Sequence, residues 1–383
     1  MRILFTGGGS GGHIFPIIAI RQAFNALIEL PENGKKINFY YLGPDKFARE
    51  NLNKEGIETR FILSGKLRRY FSLKNPLDFI RLILGVIQSF FYLFIWVPDV
   101  IFSKGGYGSI PVVFVGWIYK IPIILHESDS MPGLANRFLA KFAKKIIISF
   151  PASKEGFGKH QNKTILIGNP IRKELLEGNA EKGRQIFKIS SNKPVLLILG
   201  GSQGAQKINE IVLNTLPRLL EIAEIIHISG EFDYDNVYKE TRETVQNPAY
   251  HLYKFLNAEE LKHAYALASL IVNRAGAGSI FEIAALGKPS IIIPLPNSAA
   301  DHQRKNAYDF ANINNQTGEG RAIILDQGNL TPNIFLEEVS KLLSNPEKLK
   351  MMGQKAKEFY AIDTAQRIRD EILKTATRID KKR

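Results

Sequence analysis

The chain has 383 residues, 45% hydrophobic and 23% charged, with a net charge of +14 and no cysteine. That length suits two domains of about 150–200 residues each, and the composition excludes a disordered or fibrous protein. Without cysteine there is no disulfide framework, no thiolate-held zinc or iron–sulfur cluster, and no thiol nucleophile.

The opening strand, Arg2–Thr6, runs straight into glycines, with no signal-peptide pattern. The next expected strands are Asn38–Leu42, Val100–Phe102, Ile121–Leu125, Ile146–Ile148 and Thr164–Ile167, alternating with helical stretches as in a parallel sheet wound with helices. Between the second and third lies an apolar run, Leu82 to Val97, interrupted by Gln88 and Ser89. Lys66, Arg68, Arg69, Lys74 and Arg81 precede it, interleaved with Leu67, Tyr70, Phe71, Leu77, Phe79 and Ile80. That composition fits a segment lying in an anionic headgroup layer. A buried helix is the plain alternative, and the run is shorter than the roughly 20 residues that a membrane span wants.

Gly168-Asn169-Pro170 breaks the pattern, and a charged stretch, Arg172 to Arg184, follows. A second series comprises Val195–Leu199, Ile225–Ser229, His251–Phe255, Leu270–Asn273, Ser290–Ile293 and Ala322–Leu325. Thr331-Pro332 then opens a helix, with a hydroxyl at the N-cap and proline at the first position. The chain from Pro346 onward reads as helix with a basic tail. The expected architecture is α/β: two Rossmann-like doubly wound domains facing across a cleft, residues 1–170 and 171–355, followed by a C-terminal helix, residues 356–383, whose return to the first domain is implied only by the family resemblance that the motifs carry. Charge divides unevenly. Through Pro170 there are 22 Lys+Arg against 11 Asp+Glu, a net of +11; the remainder has 29 against 26, a net of +3. An acidic partner follows: nucleic acid, an anionic membrane or a phosphorylated substrate. No zinc-finger spacing, RNP-type motif or basic zipper supports nucleic acid.

Three glycine-rich loops each join a strand to a helix. Gly7 to His13 (GGGSGGH) lets backbone approach an anion at a helix N-terminus, where free N–H groups and a partial positive charge lie. It also satisfies G-x-G-x-x-G, but the acidic residue expected about 20 positions on is missing, so a dinucleotide site is weakly supported. A purely structural turn is the alternative. Gly200 to Ala205 (GGSQGA) has the same design, and no Walker sequence occurs anywhere. Arg274 to Ser279 (RAGAGS) is the third. Glu282, one turn in, either receives a ribose diol or is an acid favoured by the helix dipole. His13 is either a neutral base, its imidazolium disfavoured by the positive helix end, or a simple N-terminal hydrogen-bonding group. His126 and Glu127 end a strand with Asp129 close behind. Asp301-His302-Gln303 lacks a third ligand for a metal, and Asp233-Tyr234-Asp235 reads as a solvated turn.

GGGSGGHIFP, KGGYGS, HESDSMPGLANR, GNPIR, GGSQGAQKIN, RAGAGSIFEIAALGKPS and DHQRKNA follow one another over nearly the whole chain. In this set the sequence resembles the MurG family of bacterial peptidoglycan N-acetylglucosaminyltransferases. The resemblance implies the GT-B fold and transfer, with inversion, of N-acetylglucosamine from UDP-N-acetylglucosamine to the C4 hydroxyl of the muramyl sugar of lipid I, an undecaprenyl-diphosphate-linked muramyl peptide, giving lipid II. It implies a peripheral enzyme at an anionic membrane surface, the cytoplasmic face of the bacterial plasma membrane, with no metal, no cofactor and no nucleic acid. By matching positions it implies His13 as base with Glu127 as catalytic partner. On the donor side it implies Ser10, Gly11, Gly12, Asp129, Arg172, Ser202, Leu256, Ala277, Gly278, Ser279, Ile280, Phe281, Glu282 and Gln303. On the acceptor side it implies Tyr107, His126 and Asn136. Asp129 stands where the family often has Asn, and an ionised carboxylate cannot donate a hydrogen bond there. A transferase acting on another membrane lipid, a UDP-N-acetylglucosamine 2-epimerase and a non-catalytic membrane-surface scaffold are the competing readings.

Overall fold

The computed structural model describes residues 1–8, 11–28, 36–44, 46–65, 75–200, 205–296, 298, 301–312 and 320–377. The chain forms two units, Met1–Ile171 with Ile362–Arg383, and Arg172–Ala361.

Unit 1 is built on seven strands: β1 Arg2–Thr6, β2 Asn38–Gly43, β3 Ile57–Phe61, β4 Val100–Ser103, β5 Ile123–Glu127, β6 Lys145–Ile148 and β7 Thr164–Leu166. They are ordered β3-β2-β1-β4-β5-β6-β7, and every pairing is parallel. Helices on both faces bury the sheet, so β4 and β5 are buried at every position. One layer of core packs Ile14, Ile17 and Ile20 of the helix Gly11–Ala23 against Ile3, Phe5 and Phe102. Ile368 and Ile372 of the last helix, Thr364–Thr377, complete that layer. The helix is tied down further by Arg369 Nη1 donating to the Ala23 carbonyl (2.9 Å) and by the Lys145–Glu371 ion pair.

The other face carries the helix Asn75–Trp96, which starts before the apolar run and has its buried positions at Asp78, Gly85, Ser89, Leu93 and Trp96, one helical stripe. The polar residues that interrupt the run serve local structure. Ser89 Oγ donates to the Gly85 carbonyl (2.7 Å), and Gln88 Oε1 accepts from the Leu63 amide (2.8 Å). The rest of the helix is bare: Phe79, Ile87, Phe91 and Phe94 are 60–73% exposed. Pro76–Trp96 is long and apolar enough to cross a membrane, and its most apolar window is only 22% buried. The plain buried-helix alternative therefore fails. The basic stretch 66–74 lies outside the described residues.

Unit 2 repeats the plan with six strands: β8 Val195–Leu199, β9 Glu224–Ile228, β10 Tyr250–Tyr253, β11 Leu270–Asn273, β12 Ser290–Ile292 and β13 Ile323–Ile324. Their order is β10-β9-β8-β11-β12-β13, again all parallel. Its core joins Leu196, Ile198 and Val272 to Ile208, Val212 and Leu219 of the helix Gln206–Ile222 and to Phe335 and Val339 of the helix Pro332–Leu343. The helix Pro346–Lys357 stays with this unit, and Phe359 beyond it packs on Phe281 with ring centroids 5.2 Å apart. The return to unit 1 thus begins at Ile362, not at residue 356. The first strand-rich half holds one strand the sequence pattern did not suggest, β3, on the sheet edge. Asp233 is not a free solvated turn either: its Oδ2 accepts from Asn209 Nδ2 (2.6 Å), and Asn209 Oδ1 faces His227 Nε2 (3.0 Å).

Candidate active site

In both sheets the order reverses at one place, between β1 and β4 in unit 1 and between β8 and β11 in unit 2. The crevice outside the carboxyl ends of such strands is where doubly wound sheets hold ligands.

At the unit 1 reversal, Thr6 pairs with Ser103, so the loops GGGSGGH and KGGYGS leave neighbouring strand ends. His13 sits in the first turn of the helix Gly11–Ala23, half-buried between these loops. A β-carbon on Gly8 would stand 3.0 Å from its Nδ1, and one on Gly106 3.5 Å from its Nε2. Burial, then the charge of Lys104, lowers its pKa from 6.5 to about 4, so the imidazole is neutral at ordinary pH. Gly105 has φ +75°, and a β-carbon there would meet Asn136 Oδ1 at 1.8 Å. Only glycine permits both that backbone and that approach.

His126 and Glu127 end β5, as expected, but they lie inside the wall. His126 is fully buried, with Nδ1 2.6 Å from Lys104 Nζ and Nε2 3.1 Å from the Gly168 carbonyl. Glu127 Oε1 accepts from the Asp129 amide (3.0 Å); Oε2 accepts from the Gly133 amide (3.2 Å) and Asn136 Nδ2 (2.8 Å). Burial first, then the charge of Asp129, raises the Glu127 pKa. Asn136 Oδ1 in turn accepts from the Gly106 amide (3.2 Å), tying the KGGYGS loop to β5. His126 and Asn136 are both buried, with both ring nitrogens of one and both ends of the other amide engaged within unit 1. Tyr107, half-buried, opens the short turn Tyr107–Ser109, and Asp129 is half-buried on the loop after β5. Gly12 is exposed at the helix start and Gly11 is half-buried.

At the unit 2 reversal, the loop after β11 leads into the helix Ala277–Leu286. Its N-cap, Gly276, provides no side-chain cap, and a β-carbon at Gly276 or Gly278 would meet nothing among the described residues within 4 Å. The first-turn amides of Ala277, Gly278 and Ser279 have no preceding helical turn to bond and lie at the positive helix end. Glu282 Oε2 accepts from the Tyr265 hydroxyl (2.9 Å), and its Oε1 is 4.0 Å from Arg172 Nη2. Burial raises its pKa, against the opposing pull of Arg172 and Tyr265. Arg172 also reaches Glu174 Oε1 at 3.4 Å. Arg274, buried behind the loop, donates to the Ile293 carbonyl (3.2 Å) and anchors it.

Two expected donor-side residues have their side chains in the core. Ile280 is fully buried and its amide donates to the Gly276 carbonyl (3.0 Å); Phe281 is buried against Phe359. Both hold the helix in the core and present nothing outward. Leu256 is buried in the loop before the capping box Asn257–Glu260. Gln303 Oε1 accepts from the Leu295 amide (3.0 Å). Ser10, Ser202 and the rest of the loop 201–204 lie outside the described residues. Among the described residues no group of three or more His, Asp or Glu could hold a metal ion.

Sequence reasoning passed over Lys104, Asn169 and Tyr265. Lys104 was open to notice: it stands between a buried strand and two glycines, where a solvated lysine has no room.

The model of the glycosyltransferase family 28 N-terminal domain matches residues 3–148, and that of the family 28 C-terminal domain matches residues 195–368. The UDP-N-acetylglucosamine–N-acetylmuramyl-(pentapeptide) pyrophosphoryl-undecaprenol N-acetylglucosamine transferase 2 of Bacillus cereus is 38% identical over 366 residues, 95% of this chain and 97% of the relative. The corresponding transferase of Clostridium kluyveri is 39% identical over 343 residues, 89% of this chain and 91% of the relative. The chain belongs to the MurG family. Its GT-B fold agrees with the crystal structure of Acinetobacter baumannii MurG, matched at a TM-score of 0.71 and 24% identity over 97% of this chain and 99% of that one. A UDP-N-acetylglucosamine 2-epimerase from Neisseria meningitidis, bound to UDP-N-acetylglucosamine, has the same fold at a TM-score of 0.69 and 15% identity, covering 98% of this chain and all 100% of its own.

Proposed function

We propose that this chain transfers N-acetylglucosamine from UDP-N-acetylglucosamine to the C4 hydroxyl of the muramyl sugar of lipid I, with inversion, forming lipid II. The observation that carries the reading is His13, a neutral imidazole held at a helix N-terminus between two glycine loops at the unit 1 reversal point. His13 takes the proton of the acceptor hydroxyl. The oxygen attacks C1 of the sugar in line as the C1–phosphate oxygen bond breaks, and the bonding pair leaves with UDP. Amides at the start of the helix Ala277–Leu286 supply fixed dipoles for the charge on the departing UDP. Glu282 receives the ribose hydroxyls, with Arg172 and Tyr265 fixing its two oxygens. Ser10, Gly12, Ser202, Leu256 (through its backbone), Asp129 and Gln303 complete the donor contacts, and Tyr107 faces the acceptor. Glu127 acts by shaping the loop that carries Asp129 and by holding Asn136.

The acceptor is a lipid, and the exposed apolar face of unit 1 suits an enzyme seated on a membrane surface. Phe90 of the long helix stacks edge-on with Tyr119 (5.6 Å), which extends the face to Trp117, 52% exposed; Lys141 Nζ lies 3.9 Å over the Phe138 ring beside it. Aromatic and basic groups side by side are the chemistry of an anionic headgroup layer. We place the protein peripherally on the cytoplasmic face of the plasma membrane.

Purified protein given UDP-N-acetylglucosamine and a lipid I analogue should release UDP and form the disaccharide lipid. UDP release that needs no lipid acceptor, or that proceeds with diacylglycerol and not with lipid I, would refute this reading.

A further inference from the structure

The Lys104 ammonium is 2% exposed and lies at the end of β4 with three neutral partners. His126 Nδ1 is 2.6 Å away, Ser128 Oγ 2.5 Å and Asn169 Oδ1 3.3 Å. These three acceptors match its three protons one for one. The partners also fix the imidazole. The Gly168 carbonyl can only accept, so His126 Nε2 carries the proton; Ser149 Oγ, 3.2 Å from the same nitrogen, gives its own proton to the Glu127 carbonyl (2.9 Å). Nδ1 is then the bare nitrogen that faces Lys104. The chain thus places a buried cation directly behind the histidine pair at the unit 1 reversal point, where a β-carbon on Gly7 would come within 3.1 Å of the Lys104 β-carbon.

We propose that Lys104 is a positioning residue for the transfer: its ammonium, bonded to His126 Nδ1, holds that imidazole as the Nε2–H tautomer in the wall of the site and keeps positive charge near His13, which narrows the acid range in which His13 carries a proton. This rests on His13 being the base. The titratable groups around the pair come from three elements: His13 from the helix Gly11–Ala23, Lys104 from β4, and His126, Glu127 and Asp129 from β5 and its following loop. The cation opposes protonation of both histidines, while Glu127 and Asp129 favour the ammonium. Burial nevertheless brings Lys104 itself down to about 7, so it is fully charged in the acid range where His13 titrates. A cation that neutralised Glu127 alone would not need to touch His126; here the direct bond is to the imidazole.

The test is an NMR titration of the His13 imidazole in the full chain, without substrate. In Lys104→Met, an uncharged residue of similar length, the His13 midpoint should rise by roughly one unit. The acid limb of kcat/KM should move up with it, while affinity for UDP measured by calorimetry stays within about twofold. Lys104→Arg, which keeps the charge, should leave the midpoint low. Should both variants fail to fold, imidazole nitrogen shifts of the unaltered protein at pH 6 still decide the tautomer: His126 must be neutral and protonated on Nε2. A His13 midpoint unmoved in Lys104→Met, or His126 protonated on Nδ1, overturns the proposal. Absence of lipid-linked product in the presence of a shifted His13 midpoint would instead count against the transfer reaction, so the two failures are told apart.

Discussion

The two reversal points use one backbone design for two kinds of chemistry. In unit 1, His13, Lys104, His126, Glu127 and Asp129 crowd around the glycine loops, and burial displaces several of their protonation equilibria. In unit 2 the corresponding place has the first-turn amides of Ala277, Gly278 and Ser279 at a helix start without a side-chain cap, with Glu282 braced by Tyr265 and Arg172. A strand–glycine–helix unit is therefore a mount, and the residues beside it decide whether it moves protons or grips a charged ligand. Unit 2 also has a buried neutral histidine, His227, but both its ring nitrogens are engaged in the core, by Asn209 and Tyr250.

That division can be broken by substitution. The largest effect belongs to unit 1: His13→Ala should lower kcat by about 10²–10⁴, the usual loss of a general base, with UDP affinity by calorimetry nearly intact. A loss below about tenfold would remove His13 as base and blur the contrast. Next comes the pH response of unit 2. The His227 pKa is lowered to about 4, chiefly by burial, so between pH 6.5 and 4 the unfolded chain binds a proton that the folded unit refuses. Stability is thus full above pH 6.5 and falls as pH drops toward 4, by roughly 2–3 kcal/mol. Hydrogen exchange of β9 amides should report that slope, and His227→Gln should flatten it. Gly105→Ala should destabilise unit 1 by about 1–3 kcal/mol through positive φ and the clash with Asn136, seen as faster exchange in β4 with β11 unchanged. The smallest effect is Glu282→Ala, which should raise the donor KM roughly tenfold, the scale of a lost charged hydrogen bond, while changing kcat little. An unchanged KM would end the ribose role.

Much of the fold was legible because β1, β8 and β11 are short apolar runs that each lead into a glycine-rich loop. β3 escaped because Glu58 and Arg60 alternate with its buried residues, as an exposed edge strand allows. The long helix begins at Asn75, ahead of the apolar run, because its first turns hold Asp78 and Arg81, a helical pair 3.6 Å apart that hydropathy alone does not join to it. At the site, the glycine loops and His13 could be read directly. The inward turn of His126 could not, because β5 is buried on both faces and alternation carries no signal there. Ile280 and Phe281 follow the same logic: adjacency to a ligand loop in sequence does not say which face of the helix a residue occupies.

One consequence concerns synthesis. Ile368 and Ile372 fill the core against the first helix, yet they are translated only after every strand of unit 2. As the ribosome delivers β8 to β13, the earlier sheet waits with a gap along Ile14 and Ile17, and the second lobe can mature ahead of the first.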